Sequence, residues 1–139
     1  MTAKKRILAV DDDTTALNAL RQILSTKGYE VVTATDAEQG MELLSSDGFD
    51  LAILDVGLPG ISGFDMCRRI RSEPRTQDLP VIFLTAKGLL MDMAEGEDAG
   101  SDLYLIKPVL ATKLINMVGM FLSEDAPLAK RRRSTTTGT

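Results

Sequence analysis

Short apolar runs alternate with amphipathic segments along the first 122 residues. The apolar runs are typical of buried strands, and they predict strands at Arg6–Val10, Glu30–Ala34, Leu51–Leu54, Val81–Leu84 and Leu103–Ile106. Helical spacing of apolar residues between them predicts helices over Thr14–Lys27, from Ala37 to before Gly48, and over Phe64–Arg71, Leu89–Ala99 and Val109–Leu122. We expect Asp13 and Asp36 to cap the first two helices at their N-termini.

Five strands that alternate with five helices predict an α/β fold, a doubly wound parallel sheet with helices on both faces. Such sheets bind their ligands beyond the carboxyl ends of the strands. The periodic pattern stops near Ser123. We therefore expect one folded domain over residues 1–122 and a polar, basic tail or linker over 123–139.

Side chains capable of chemistry follow four of the five predicted strands. They are Asp11, Asp12 and Asp13 after the first strand, Asp55 after the third, Thr85 after the fourth and Lys107 after the fifth. The segment after Asp55 is rich in glycine and proline, which allow a sharp turn and a close approach of the backbone. The sequence therefore predicts a ligand site around Asp55.

Composition limits the chemistry available to the chain. The 139 residues are 44% hydrophobic and 26% charged, which is typical of a soluble globular domain. There is no histidine, and the one cysteine, Cys67, excludes an internal disulfide and is expected in the core. The first apolar run is too short for a signal peptide or a membrane span, so we expect a cytoplasmic protein.

The formal net charge is −4, although four of the sixteen basic residues lie together at Lys130–Arg133. The rest of the chain is therefore more acidic than the total suggests. An acidic domain of this kind is not expected to bind nucleic acid directly.

Four motifs together carry a specific resemblance. AVDDD at the first strand, LDVGLPGISG around Asp55, FLTA around Thr85 and YLIKP around Lys107 resemble the receiver domain of two-component response regulators, over residues 6–122. The resemblance implies a flavodoxin-like sheet with strand order 2-1-3-4-5. It also implies a phosphorylation-dependent signalling domain rather than an enzyme, with phosphoryl transfer to itself and slow hydrolysis as its reactions.

The resemblance assigns roles to individual residues. It implies that Asp55 accepts the phosphoryl group, that Thr85 and Lys107 contact it, and that Asp11, Asp12 and Asp55 bind Mg²⁺ with the backbone carbonyl of Gly57. The residue chemistry agrees, because three crowded carboxylates repel one another unless a cation intervenes, and hard oxygen ligands suit Mg²⁺. One Mg²⁺ and Lys107 would balance the three negative charges.

The resemblance also implies a switch and partners. Thr85 and Tyr104 would respond to phosphorylation and change the surface formed by the fourth helix, fifth strand and fifth helix. A histidine kinase or phosphotransfer protein would supply the phosphoryl group, and a downstream effector or a second copy would bind that surface. Gly57 and Lys87 would tune the hydrolysis rate, and the Lys107–Pro108 peptide bond would be cis.

Two alternatives come from other classes. The run from Asp11 to Thr15 also fits the D-x-D-x-T opening of haloacid-dehalogenase-like phosphatases, with Asp11 as nucleophile, although those enzymes need a further acidic pair after the lysine. A flavodoxin-like nucleotide or flavin carrier is the other, but the chain contains neither G-x-x-x-x-G-K-[ST] nor G-x-G-x-x-G.

Overall fold

In the computed structural model, the described residues are 4–86 and 90–123, with the backbone alone for residues 90–92. The strands are β1 (Arg6–Val10), β2 (Glu30–Ala34), β3 (Leu51–Asp55), β4 (Val81–Thr85) and β5 (Leu103–Ile106). The helices are α1 (Thr14–Ser25), α2 (Ala37–Ser46), α3 (Gly63–Ser72), α4 (Leu90–Ala99) and α5 (Ala111–Leu122). Predictions for Lys87, Leu89 and the tail from residue 124 lie outside the described residues.

All five strands are parallel, in the order β2-β1-β3-β4-β5 that the resemblance implied. Alternate residues of each strand point to opposite faces, so the sheet divides the core in two. One half packs Leu8, Leu54 and Phe83 against α2, α3 and α4. The other packs Ile7, Ile53 and other strand residues against α1 and α5. The predicted doubly wound α/β fold is confirmed.

Side chains at the helix N-termini define where the helices begin. Asp13 accepts hydrogen bonds from the backbone N–H groups of Thr15 and Ala16, and Asp36 accepts one from Gln39, so both predicted caps are confirmed. Cys67 is fully buried, as expected.

Two predicted helix bounds are wrong by two residues. The first helix ends at Ser25 rather than Lys27, because the N–H groups of Lys27 and Gly28 bond to carbonyls three residues back and Gly28 adopts φ +87°. The last helix begins at Ala111 rather than Val109, because Leu110 has an extended backbone, while its carbonyl accepts the first helical hydrogen bond from Leu114. The Lys107–Pro108 bond is cis, as the resemblance implied.

A partly buried arginine joins the ends of several elements away from the predicted site. Arg71, near the end of α3, donates to the carbonyls of Gly100 and Leu79 and forms an ion pair of 2.9 Å with Asp102. The same Asp102 oxygen accepts the backbone N–H of Val81 at the start of β4. These contacts fix the C-terminal end of α4 against the sheet. No helix in the described part of the chain is long and apolar enough to span a membrane.

Candidate phosphoacceptor and metal site

The carboxyl ends of β1, β3 and β5 bring three predicted residues into contact. Val10 pairs with Leu54 in the sheet, so Asp11 and Asp55 are side by side as the next residues of neighbouring strands. Lys107 directly follows β5 and reaches back across the end of β4. Its Nζ atom lies 2.6 Å from Oδ2 of Asp11 and 3.1 Å from Oδ1 of Asp55.

The lysine is held in its charged form by these two carboxylates. Burial alone lowers the pKa of Lys107, but the hydrogen bonds and charges of Asp11 and Asp55 outweigh burial and raise it above the usual 10.5. Lys107 therefore remains a fixed cation at the edge of the sheet at physiological pH.

Lys107 does not fully offset the cost of ionising Asp55. Its side chain is only 12% exposed. Burial raises the pKa of the Asp55 carboxyl above 3.8, the Lys107 hydrogen bond lowers it, and the negative charges of Asp11 and Asp12 raise it further. The net direction is upward, so the ionised carboxylate is less stable in the folded protein than in water. A further cation at this position would be bound favourably.

Three carboxylates are arranged to hold such a cation. One oxygen from each of Asp11, Asp12 and Asp55 can be chosen so that all three atoms lie within 4.8 Å of one another. Asp12 is exposed, whereas Asp11 is buried. Carboxylate oxygens with an open, solvent-facing side suit Mg²⁺, which keeps several of its waters. The donor set and the raised pKa of Asp55 therefore both fit a magnesium ion.

Asp11 has a second function in the loop. Its Oδ1 atom accepts the backbone N–H of Asp13 at 3.0 Å, while Oδ2 faces Lys107. Asp13 in turn caps α1, so its side chain is directed at the helix rather than at the carboxylate cluster. The three consecutive aspartates thus have three different environments.

Two glycines pack against Asp55. A Cβ atom at Gly57 would lie 3.6 Å from Oδ2 of Asp55, and one at Gly63 would lie only 2.3 Å from the Asp55 carbonyl oxygen. The turn between them includes Gly60 at φ +73°, a conformation that favours glycine. Gly63, where α3 begins, thus lies close against the end of β3.

Thr85 and Tyr104 lie on the neighbouring strands. Thr85 is the last residue of β4, is 4% exposed, and accepts the backbone N–H of Lys107 at 2.7 Å through its carbonyl oxygen. Tyr104 lies opposite Phe83 in the register of β4 and β5, is half-buried, and packs edge-to-face on that ring. Phe83 of β4 and Gly96 of α4, which lies next to these rings, were not predicted as functional residues, because the periodicity of a strand or helix carries no signal for contacts between elements.

The described residues also line two cavities of different kinds. A cavity of about 40 Å³ lies beneath the site, with Asp11, Asp55 and Lys107 among its lining residues. A larger one of about 290 Å³ lies at the opposite edge of the sheet, lined by Phe49, Asp50, Arg75 and Phe121 among others. We assign the site to the smaller cavity, because the carboxylates and the lysine converge there.

Comparisons with known proteins agree with this geometry. The family described as "Response regulator receiver domain" matches residues 7–119. The transcriptional regulatory protein AfsQ1 of Streptomyces coelicolor is 45% identical over 103 residues, covering 74% of this chain and 44% of that protein. This chain spans about half the length of the curated relatives it matches.

Solved structures share the fold. Chemotaxis protein CheY4 of Vibrio cholerae superposes with a TM-score of 0.83 at 28% identity, covering 86% of this chain and all of that chain. The receiver domain of sensor histidine kinase PA1611 from Pseudomonas aeruginosa has a TM-score of 0.80 at 28% identity, covering 86% and 98%. That structure holds a magnesium ion in its active-site cleft. None of these similarities favours the phosphatase or the flavin-carrier alternative.

Proposed function

This chain belongs to the response regulator receiver domain family, a phosphoacceptor signalling domain, and from that premise we propose that Asp55 is its phosphoacceptor. The observation that carries the proposal is the position of the Asp55 carboxylate. It lies 3.1 Å from the Lys107 ammonium group and shares a cluster of oxygens with Asp11 and Asp12. Among the described acids, Asp55 alone combines contact with the lysine, the turn glycines and this cluster.

The reaction is an in-line displacement at phosphorus. A carboxylate oxygen of Asp55 forms the new O–P bond while the bond from phosphorus to the donor breaks, and the leaving group departs with the electron pair of that bond; a carboxylate leaves as the anion, and an imidazole takes its proton from water. Lys107 stabilises charge on the transferring group. Magnesium, held by Asp11, Asp12, Asp55 and the Gly57 carbonyl, would supply charge neutralisation to the phosphoryl oxygens. Water later hydrolyses the acyl phosphate and restores the carboxylate.

The donor is a histidine kinase or a phosphotransfer protein. This chain contains no histidine and so cannot carry a phosphohistidine of its own. A small acyl phosphate can replace the protein donor, because the catalytic groups in this proposal belong to the receiver.

The response is carried by Thr85 and Tyr104 to the surface of α4, β5 and α5. Thr85 donates its hydroxyl to a phosphoryl oxygen, and the Tyr104 ring changes position. Apolar side chains are exposed on this surface, with Met93 of α4 41% exposed, Ile106 of β5 49% and Leu110 at the start of α5 74%. A downstream effector or a second copy of the chain binds there in one of the two states.

Intact-mass measurement tests the acceptor. The protein is incubated with Mg²⁺ and a small acyl phosphate, beside Asp55→Asn and Asp13→Asn. We expect one hydroxylamine-labile phosphoryl group on the wild type and on Asp13→Asn, because asparagine keeps the helix cap. Asp55→Asn should gain none. An equal gain on Asp55→Asn, or none on the wild type at saturating donor, would reject Asp55 as acceptor.

A further inference from the structure

Three aromatic rings, from α3, β4 and β5, pack edge-to-face in a row. Phe64 of α3 packs edge-to-face on Phe83 of β4 with ring centroids 5.2 Å apart, and Phe83 packs in the same way on Tyr104 of β5 at 6.3 Å. Phe83 is fully buried and Phe64 is 6% exposed, whereas Tyr104 keeps one open side. Of the three rings, Tyr104 is the most exposed.

On helix α4, Gly96 lies next to all three rings. A Cβ atom at Gly96 would lie 3.2 Å from ring carbons of both Phe83 and Tyr104, and 3.5 Å from Phe64. Contacts of 3.2 Å are closer than ordinary van der Waals packing, so an added methyl group would force a neighbour to shift. Glycine inside a helix is unfavourable by about 1 kcal/mol relative to alanine, so Gly96 weakens the helix that it allows to approach the rings.

We propose that Gly96 is a positioning residue for the Tyr104 ring. Because Gly96 has no side chain, the half-buried Tyr104 ring has space between α4 and Phe83 of β4. Gly96 therefore sets the balance between this inward position of the ring and an outward, more exposed one. The inference rests on the proposed function for the switch role of Tyr104. The close approach of Gly96 to the ring is a feature of the structure and does not rest on the proposed function.

The same contacts connect the site to α4. Gly63, which touches the Asp55 carbonyl, precedes Phe64 directly, and Phe64 packs on Phe83 and faces Gly96. A structural change at the turn after Asp55 would therefore reach α4 through the contacts of Phe64 with Phe83 and Gly96. With the two phenylalanines enclosed, a methyl group at position 96 displaces Tyr104 outward.

Fluorine NMR can observe this displacement. The chain has two tyrosines, Tyr29 and Tyr104. Tyr29 lies among the residues packed with α1 and α5, on the other face of the sheet, so its resonance is an internal reference in protein labelled with 3-fluorotyrosine. The matched control for Gly96→Ala is Gly119→Ala in α5, where a Cβ atom meets nothing within 4 Å.

In Gly96→Ala without any phosphoryl mimic, we expect the Tyr104 resonance to move toward its position in the denatured protein. A shift of the inward–outward balance by roughly tenfold is expected, which corresponds to about 1.4 kcal/mol of contact strain. Beryllofluoride with Mg²⁺ should then move the Tyr104 resonance less than in the wild type. Gly119→Ala should match the wild type throughout, and Tyr29 should not respond.

A double-mutant cycle separates positioning from general damage. Gly96→Ala should destabilise the protein less in a Tyr104→Ala background than in the wild type, whereas Gly119→Ala should show no coupling to Tyr104→Ala. An unchanged Tyr104 resonance in folded Gly96→Ala, or failure of Gly96→Ala to fold even when Tyr104 is alanine, would overturn the proposal. If beryllofluoride moves no resonance in the wild type, the switch role of Tyr104 fails, while the Gly96→Ala shift still tests the contact.

Discussion

The ammonium group of Lys107 lies 2.6 Å from a carboxylate oxygen of Asp11, although 96 positions separate the two residues in the chain. The same group reaches Asp55 at 3.1 Å. One cation therefore partly neutralises one buried acid, Asp11, and one partly buried acid, Asp55, and the stability of this edge of the sheet depends on it.

Replacing Lys107 by methionine keeps the aliphatic stem and removes that charge. We expect a loss of about 1–3 kcal/mol in the free energy of unfolding at pH 7, because two acids lose a charged hydrogen-bond partner. Urea denaturation measures it, with Lys113→Met on the exposed side of α5 as control. The raised pKa of Lys107 means that its contribution is complete below pH 10.5 and is lost as the pH rises through the folded-state pKa. Equal stability of the two variants would contradict this.

Asp55→Asn is expected to stabilise the protein at neutral pH. The pKa of Asp55 is raised in the folded state, so the folded protein keeps this proton to a higher pH than the unfolded chain. The destabilisation of the folded protein by the ionised Asp55 carboxylate is therefore absent below about pH 3.8. It grows as the pH rises through the folded-state pKa and is complete above it.

The gain from Asp55→Asn at pH 7 should be on the order of 1 kcal/mol, because asparagine removes a charge that is penalised first by burial and then by repulsion from Asp11 and Asp12. Thermal unfolding followed across pH 3.5 to about 8, the range in which carboxyls titrate, should show the gain fading toward the acid end. Asp13→Asn should show no such gain. Destabilisation by Asp55→Asn at pH 7 would refute the inference that burial and neighbouring charges disfavour the ionised Asp55.

Magnesium should raise the melting temperature of the wild type. A ligand that binds only the folded state adds about 2.7 kcal/mol when its concentration is 100 times its dissociation constant. Asp12→Asn is the sharpest test, because Asp12 is exposed and belongs to the oxygen cluster, so the substitution perturbs the fold least. We expect it to remove most of the magnesium effect, while Asp13→Asn preserves it. The same stabilisation in wild type and Asp12→Asn would place the ion elsewhere.

Gly63→Ala should destabilise the protein by about 2–4 kcal/mol, because a Cβ atom 2.3 Å from the Asp55 carbonyl oxygen would force the backbone of β3 and α3 apart. Gly48→Ala is the control, since a Cβ atom there meets nothing within 4 Å. Chemical denaturation compares the two variants. If both change stability equally, the close approach of α3 to the end of β3 is not the reason for glycine at position 63.

Local pattern in the sequence determined the elements and the residues that end them. The strands Arg6–Val10, Glu30–Ala34 and Leu103–Ile106 were predicted with their observed bounds. Asp13 and Asp36 were predicted as caps, because each aspartate directly precedes a segment with helical spacing of apolar residues. The first N–H groups of such a helix have no partner within the helix. Convergence of Asp11, Asp55 and Lys107 followed from the rule that carboxyl ends of parallel strands share an edge.

Only the tertiary structure decided which groups touch across that fold. Residues of different elements create the Lys107–Asp11 contact and raise the pKa of Asp55. The same holds for the packing of Tyr104 next to Gly96. It also holds for the ion pair of Arg71 with Asp102, which nothing in the spacing of either segment indicated. Periodicity describes which face of an element is buried, whereas these contacts depend on the register of strands and the distance between helices, which are set when the whole core packs.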